Sequence, residues 1–235
     1  MSAKIITEDS LETNRIYNMR FQDGLKDIPH VDMIITDPPY NINFKYGKYE
    51  DNKSEQEYIE MISLLKDYPL AIIHYPEETM RYFVPALGAP EEVIVWCYNS
   101  NLPRQSRLIN FYNCKVDFNK VKQPYKNPND KRVKKLIEKG SEGTRSYDWF
   151  SDIQLVKNVS KQKNHPCPIP VELVERIIKM TTPEGGVVLD PFMGGGTTAI
   201  ACMNTGRKYI GFEIDPKYFA MAQERISKHL EGATA

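Results

Sequence analysis

The sequence predicts an α/β protein built on an open, mostly parallel sheet, and two stretches carry most of that prediction. Val31-Asp32-Met33-Ile34-Ile35 is a short apolar run with the character of a buried strand, and it stops abruptly at Thr36-Asp37-Pro38-Pro39-Tyr40-Asn41. Val187-Val188-Leu189-Asp190 is a second such run. It leads through Gly194-Gly195-Gly196 into a helical segment, a further strand and the acidic Glu213. Strand, glycines, helix, strand and acidic residue form the layout of a nucleotide-type cofactor site at one end of a parallel sheet.

The remaining elements are expected in the following order. Lys4–Thr7 and Arg15–Met19 read as short strands, and Gln22-Asp23-Gly24 as a turn. The two prolines after Val31–Thr36 lack N–H donors, so they end that strand and stiffen a corner. Asn43–Ser54 is polar and reads as a mobile loop beside the corner. Glu57–Lys66 has helical spacing, Leu70–His74 strand character, Glu77–Leu87 helical character, and Glu92–Tyr98 is a strong strand. After His165 the pattern becomes regular again. A helix is expected over Pro170–Met180 with proline near its start. Gly185-Gly186 is a turn, followed by a strand over Val187–Asp190 and a helix over Thr197–Asn204. Lys208–Glu213 is the next strand, and a last helix starts at Asp215-Pro216, with Asp215 as its N-cap.

The chain has 235 residues, 41% of them hydrophobic, enough for one large α/β domain or two small ones. Zero formal net charge argues against a purely electrostatic nucleic-acid binder. The distribution says more. Asn101–His165 holds 15 Lys and Arg against 6 Asp and Glu, a local excess of nine positive charges that the rest of the chain balances. Aromatics interleave with them: Phe111, Tyr112, Phe118, Tyr125, Tyr147, Trp149 and Phe150. That combination fits nucleic-acid contact; taken ring by ring, the core of a small insert explains the aromatics better. Cys97, Cys114, Cys167 and Cys202 show no Cys-x-x-Cys spacing, and the four histidines are scattered, so neither a disulfide framework nor a zinc site is expected. No run reaches membrane-spanning length, so a cytoplasmic protein without membrane partners is expected.

Three cofactors compete for the glycine-rich loop. A phosphate-binding P-loop needs lysine after its last glycine, where this chain has Thr197-Thr198. Gly194, Gly196 and Ala199 formally match a nicotinamide fingerprint, but that reading leaves Asp-Pro-Pro-Tyr unexplained. S-adenosyl-L-methionine is the third: its ammonium group would suit Asp190, and its carboxylate the loop and helix N-terminus.

The loop Asp190-Pro191-Phe192-Met193-Gly194-Gly195-Gly196-Thr197-Thr198 resembles the Asp-Pro-Phe-x-Gly-Ser-Gly-Thr-Thr loop of amino-group DNA methyltransferases. Thr36-Asp37-Pro38-Pro39-Tyr40-Asn41 is similar to their catalytic motif. His165-Pro166-x-Pro168-x-Pro170 resembles the segment beside the cofactor's methionine part, and Tyr209–Asp215 the ribose-binding strand. The order, catalytic motif first and cofactor loop last, is that of the family's beta group. Gly195 departs from the more usual serine.

The resemblance implies a seven-stranded-type methyltransferase sheet. It divides residues 1–235 into a catalytic half, 1–99, a target-recognition insert, 100–160, and a cofactor-binding half, 161–235. It implies Asp37, Pro38, Pro39 and Tyr40 as the catalytic set. The implied cofactor set is Asp23, His165, Asp190, Pro191, Phe192, Gly194, Gly196, Thr197 and Glu213. Asp23 has the rival reading of a turn aspartate. Asp37 would accept one amine N–H and the Pro38 carbonyl the other, Tyr40 would stack on the base, and the base would be flipped out of double-stranded DNA. Expected beside this are a cognate restriction endonuclease and a homodimer. Asp rather than Ser at the head of the motif leans towards adenine N6; cytosine N4 is the near rival. A silent DNA-binding module and a nicotinamide oxidoreductase are the distant ones. Pro166-Cys167 has the look of the Pro-Cys nucleophile of ring-carbon methyltransferases, but those enzymes lack Asp-Pro-Pro-Tyr, and Cys167 is expected to be structural.

Overall fold

A computed structural model describes residues 10–41, 45–46, 49–100, 103–156 and 169–233. The expected Lys4–Thr7 strand, His165 and Cys167 lie outside the described residues. In chain order the first elements are β1 (Arg15–Tyr17), α1 (Phe21–Gly24), β2 (Met33–Thr36), the short β3 (Lys45–Tyr46) and β4 (Tyr49–Glu50), α2 (Glu55–Ser63) and β5 (Leu70–His74). A helical stretch follows as α3 (Pro76–Glu78), a π turn (Thr79–Phe83) and α4 (Val84–Leu87). Then come β6 (Glu92–Cys97), β7 (Ser106–Tyr112), β8 (Lys122–Gln123), α5 (Lys131–Glu138), β9 (Thr144–Arg145) and β10 (Trp149–Phe150). The chain closes with α6 (Val171–Thr181), β11 (Val187–Asp190), α7 (Thr197–Asn204), β12 (Lys208–Phe212) and α8 (Pro216–Ala233).

Among the described residues, eight strands form one sheet in the order β1-β12-β11-β2-β5-β7-β6-β10. All neighbours pair parallel except β7, which runs antiparallel to both β5 and β6. The open, mostly parallel α/β sheet is therefore as expected. The central strands are buried on both faces, as parallel strands flanked by helices must be. On one face, Leu173, Val174, Ile177 and Ile178 of α6 and Ala199 and Ile200 of α7 pack over Met33, Ile35 and Val188. On the other, Tyr58 and Ile62 of α2 and Tyr82 and Phe83 of the π turn pack over Ile34, Leu70 and Ile72. From β2 the chain proceeds to β5 on one side, and it returns at β11 and β12 on the other. That reversal opens a crevice at the carboxyl ends of β2 and β11, where open α/β sheets bind ligands.

Four local expectations change. Gln22-Asp23-Gly24 is part of a helical turn, because Phe21 is buried and packs edge-on against Phe192. Gly24 is there for closeness: a Cβ on it would lie 2.4 Å from the Phe212 ring. Part of the Asn43–Ser54 loop is a hairpin, β3 against β4, anchored where Asp51 Oδ1 accepts from the Asn41 N–H at 2.8 Å. Helix α2 starts at Glu55 because Ser54 and Glu57 form a reciprocal capping box. The fourth change is the largest. The span 100–160 is not a separate insert throughout, since β7 is a central strand and β10 an edge strand of the main sheet. Phe111 and Phe150 are fully buried in the main core. What stands outside the sheet is the excursion 113–148, with the β8–β9 pair and α5.

Candidate active site

The carboxyl ends of β2, β11 and β12 bring Asp37, Asp190 and Glu213 to one edge of the sheet, and burial pushes the pKa of each upward. Asp190 contributes to the rise at both Asp37 and Glu213, so the three share one electrostatic neighbourhood. Such a cluster favours a cation beside it.

Asp190, the last residue of β11, is only 4% exposed. Thr36 Oγ1 donates to its Oδ1 at 2.8 Å, Thr198 Oγ1 to its Oδ2 at 2.6 Å, and the Phe192 N–H to Oδ1 at 3.0 Å. The carboxylate thus knots the end of β2, the loop and the first turn of α7 together. The ammonium role expected for it would have to share oxygens already engaged by three donors. The backbone of the glycine loop is equally engaged. Met193 N–H donates to the Phe212 carbonyl at 2.9 Å, Gly194 N–H to Glu213 Oε2 at 2.9 Å, and Gly196 N–H to the Met193 carbonyl at 3.0 Å. Gly196 is left-handed (φ 79°) and caps α7, and a Cβ there would lie 3.2 Å from Ala222. Arg225 of α8 clasps the loop from outside, donating to the Gly195 carbonyl and Thr197 Oγ1 at 3.0 and 3.1 Å. Pro191 is buried.

Glu213 follows β12 and also accepts the Asp215 N–H at 2.8 Å, so both its oxygens hold backbone amides. Asp215 caps α8 as expected, through the Lys217 N–H at 2.8 Å. Asp23 is exposed on α1, whose Phe21 packs against Phe192, so the turn that carries Asp23 borders the glycine loop.

Asp37 sits just beyond β2 with its side chain 15% exposed. Burial raises its pKa to about 6, against the lowering effects of Arg107 and the Tyr40 hydroxyl. That hydroxyl straddles the carboxylate, 3.2 Å from Oδ1 and 3.1 Å from Oδ2. The Tyr40 ring, expected to stack on a base, is buried here, 4.6 Å from the His74 ring and 5.4 Å from Tyr75. The Pro39 carbonyl accepts from the Tyr58 hydroxyl at 2.6 Å, pinning the corner to α2.

Sequence reasoning misses the residues that surround Asp37. Arg107 Nη1 lies 3.3 Å from Asp37 Oδ2. Because β7 runs antiparallel, its first residues stand beside the last residues of β5 and β6, with Arg107 opposite Trp96 and Leu108 opposite His74. His74 is fully buried, and neither ring nitrogen makes a well-formed hydrogen bond among the described residues. Burial and the charges of Arg107 and Arg104 drive its pKa well below the usual imidazole value, against a raising effect of the Pro38 carbonyl, so it is neutral. Thr36 and Thr198 are visible inside the quoted motifs; Arg107 carries no local signal. No group of His, Cys, Asp and Glu suited to a metal occurs among the described residues, and none of their helices is long and apolar enough to cross a membrane.

The model of the family described as DNA methylase (N6_N4_Mtase) matches residues 31–224. The Type II methyltransferase M.HpaI of Haemophilus parainfluenzae is 28% identical over 229 residues, covering 86% of this chain and 70% of its own. Two solved structures share the fold. The PvuII DNA methyltransferase (cytosine-N4-specific) superposes with a TM-score of 0.65 at 18% identity, covering 94% of this chain and 92% of its own. The M1.HpyAVI–SAM complex does so with a TM-score of 0.60 at 23% identity, covering 90% and 98%.

Proposed function

This chain belongs to the N6/N4 DNA methylase family, and from that premise we propose that it methylates the exocyclic N6 of adenine at specific sites in double-stranded DNA. The observation that carries the reading is the placement of Asp37. A buried carboxylate, held by the Tyr40 hydroxyl and the Arg107 guanidinium, stands at the end of β2 beside the glycine loop that follows β11. The proposed cofactor is S-adenosyl-L-methionine, which supplies an electrophilic methyl group on a sulfonium. The site suits it: Asp37, Asp190 and Glu213 create a field that favours a cation.

An exocyclic amine is a poor nucleophile because its lone pair is delocalised into the base. Ionised, Asp37 accepts one amine N–H, which favours a pyramidal nitrogen with its lone pair free. The Pro38 carbonyl accepts the other. After methyl transfer the nitrogen carries a positive charge and sheds one proton, and Asp37 is the base beside it. The Tyr40 ring stacks on the base once it is flipped out of the duplex. The excursion 113–148 grips the DNA backbone. Asp130 caps α5 through the Arg132 N–H at 2.8 Å, and α5 presents Lys131, Arg132, Lys134 and Lys135 to solvent. The Type II designation of relatives such as M.HpaI supports a restriction–modification role beside a cognate endonuclease.

Aspartate at the head of the Asp-Pro-Pro-Tyr motif supports adenine. So does stacking area, since base–aromatic stacking is worth about 1–3 kcal/mol and a purine buries more of the ring. Nucleoside mass spectrometry of DNA treated with the purified protein and methyl-labelled cofactor tests the reading. Label is expected in N6-methyladenine; label confined to N4-methylcytosine overturns the base assignment.

A further inference from the structure

We propose that Arg107 is a positioning residue for the amine-accepting carboxylate: its guanidinium fixes the direction of Asp37 and keeps it in the charged form. This rests on the reading of Asp37 as the amine acceptor. Arg107 is 4% exposed, on β7, which runs antiparallel to both of its neighbours. Its guanidinium carbon lies 5.1 Å from the Tyr75 ring centroid, 5.5 Å from Tyr40 and 5.7 Å from Trp96, so it is walled by aromatic faces. The Tyr98 hydroxyl bonds to it as well. A charge taken this far from water needs a compensating one, and Asp37 Oδ2 is 3.3 Å away.

A second buried arginine shows what a structural pair looks like in this fold. Arg176 grips Asp152 by two parallel bonds of 2.9 and 2.7 Å, the bidentate form, and reaches Glu172 at 3.4 Å. Arg107 meets Asp37 Oδ2 at a longer 3.3 Å, and the Tyr40 hydroxyl, a neutral donor that an amine N–H can displace, straddles both carboxylate oxygens at 3.2 and 3.1 Å. The cation therefore backs the carboxylate at Oδ2, and displacement of the neutral hydroxyl is what opens Asp37 to substrate. The groups that set the charge of Asp37 come from every side: Arg107 on β7, Tyr40 on its own corner and Asp190 on β11. Behind them stand neutral His74 on β5, Tyr98 after β6, and Arg104, which is paired with Glu78 at 3.3 Å.

The test compares wild type with Arg107→Met and Arg107→Lys. Carbon NMR of carboxyl-labelled protein follows the titration of Asp37, and Asp37→Asn identifies its signal. Single-turnover methylation is measured against pH, and calorimetry follows S-adenosyl-L-methionine binding. In Arg107→Met the Asp37 titration and the acid limb of the rate profile move to higher pH, and the rate falls by about 10-fold or more, with cofactor affinity within about twofold. Arg107→Lys keeps the acid limb but lacks the planar fork, and its rate falls by about threefold to tenfold. An unmoved Asp37 titration in Arg107→Met overturns the charge-holding role, and wild-type turnover in Arg107→Lys overturns the fixed direction. Should Arg107→Met fail to fold, Arg107→Gln, which keeps polar donors without the charge, takes its place in the titration. The NMR measurement needs no turnover, so it stands apart from the function reading, which fails instead if the wild type transfers no label to DNA.

Discussion

The raised pKa of Asp37 makes activity and stability respond to acid in opposite directions. Burial lifts this carboxyl from 3.8 to about 6. A carboxylate accepts an amine N–H only when ionised, so the single-turnover rate should drop by about tenfold between pH 7 and pH 5, as the ionised fraction does. Stability runs the other way. The folded state holds the proton more tightly than the unfolded chain, so this group's contribution is fully present below 3.8 and is lost as pH rises through about 6. A displacement of about two pKa units corresponds to about 3 kcal/mol, and the side chain is buried enough that water screens little of it. Asp37→Asn cannot titrate, so the difference in urea-unfolding free energy between wild type and variant isolates the group from every other carboxyl. That difference should favour wild type increasingly from pH 7 down to pH 4, by an amount of that order. The change in Arg107 pairing in the variant adds an offset that does not vary with pH. A rate profile flat through pH 6, or a stability difference independent of pH, would refute the assignment of a buried, ionisable acceptor at Asp37.

Three other outcomes are expected. Asp37→Ala removes the amine acceptor and leaves the glycine loop, so methylation should fall by about 100-fold or more while calorimetric cofactor binding persists; near-normal turnover would end the catalytic reading. Thr198→Val strips one donor from buried Asp190 and should cost about 1–3 kcal/mol in chemical denaturation, with wild-type stability counting against the knot around that carboxylate. Charge reversal of Lys131, Arg132, Lys134 and Lys135 on α5 should flatten the dependence of DNA affinity on salt, by about 0.9 log units per log unit of salt for each phosphate no longer neutralised. An unchanged slope would make α5 a solvated face.

Much of the frame can be read from the chain itself. The strand Val187–Asp190 and the helix Thr197–Asn204 fall where the apolar run, the glycines and the spacing of Thr197–Asn204 place them. The Asp-Pro-Pro-Tyr corner and the Asp215 cap are equally local, since proline geometry and a carboxylate before a proline act within a few residues. Long-range features are not legible. β7 escapes a reading by pattern because Arg107 and Asn110 interrupt its apolar run, and both are polar residues whose burial depends on distant partners. Arg107 lies 70 residues from Asp37, and Asn110 reaches Thr79 at 3.1 Å across 31 residues.

Residue types at short spacing therefore determined which elements form and which carboxylates end the strands. Their states were decided only when the strands came together. The antiparallel insertion of β7 put a cation beside Asp37, and the closure of β2 against β11 gave Asp190 the Thr36 hydroxyl, 154 residues away. Desolvation and the charges of distant neighbours set how a carboxylate titrates, and neither quantity exists until the sheet is assembled.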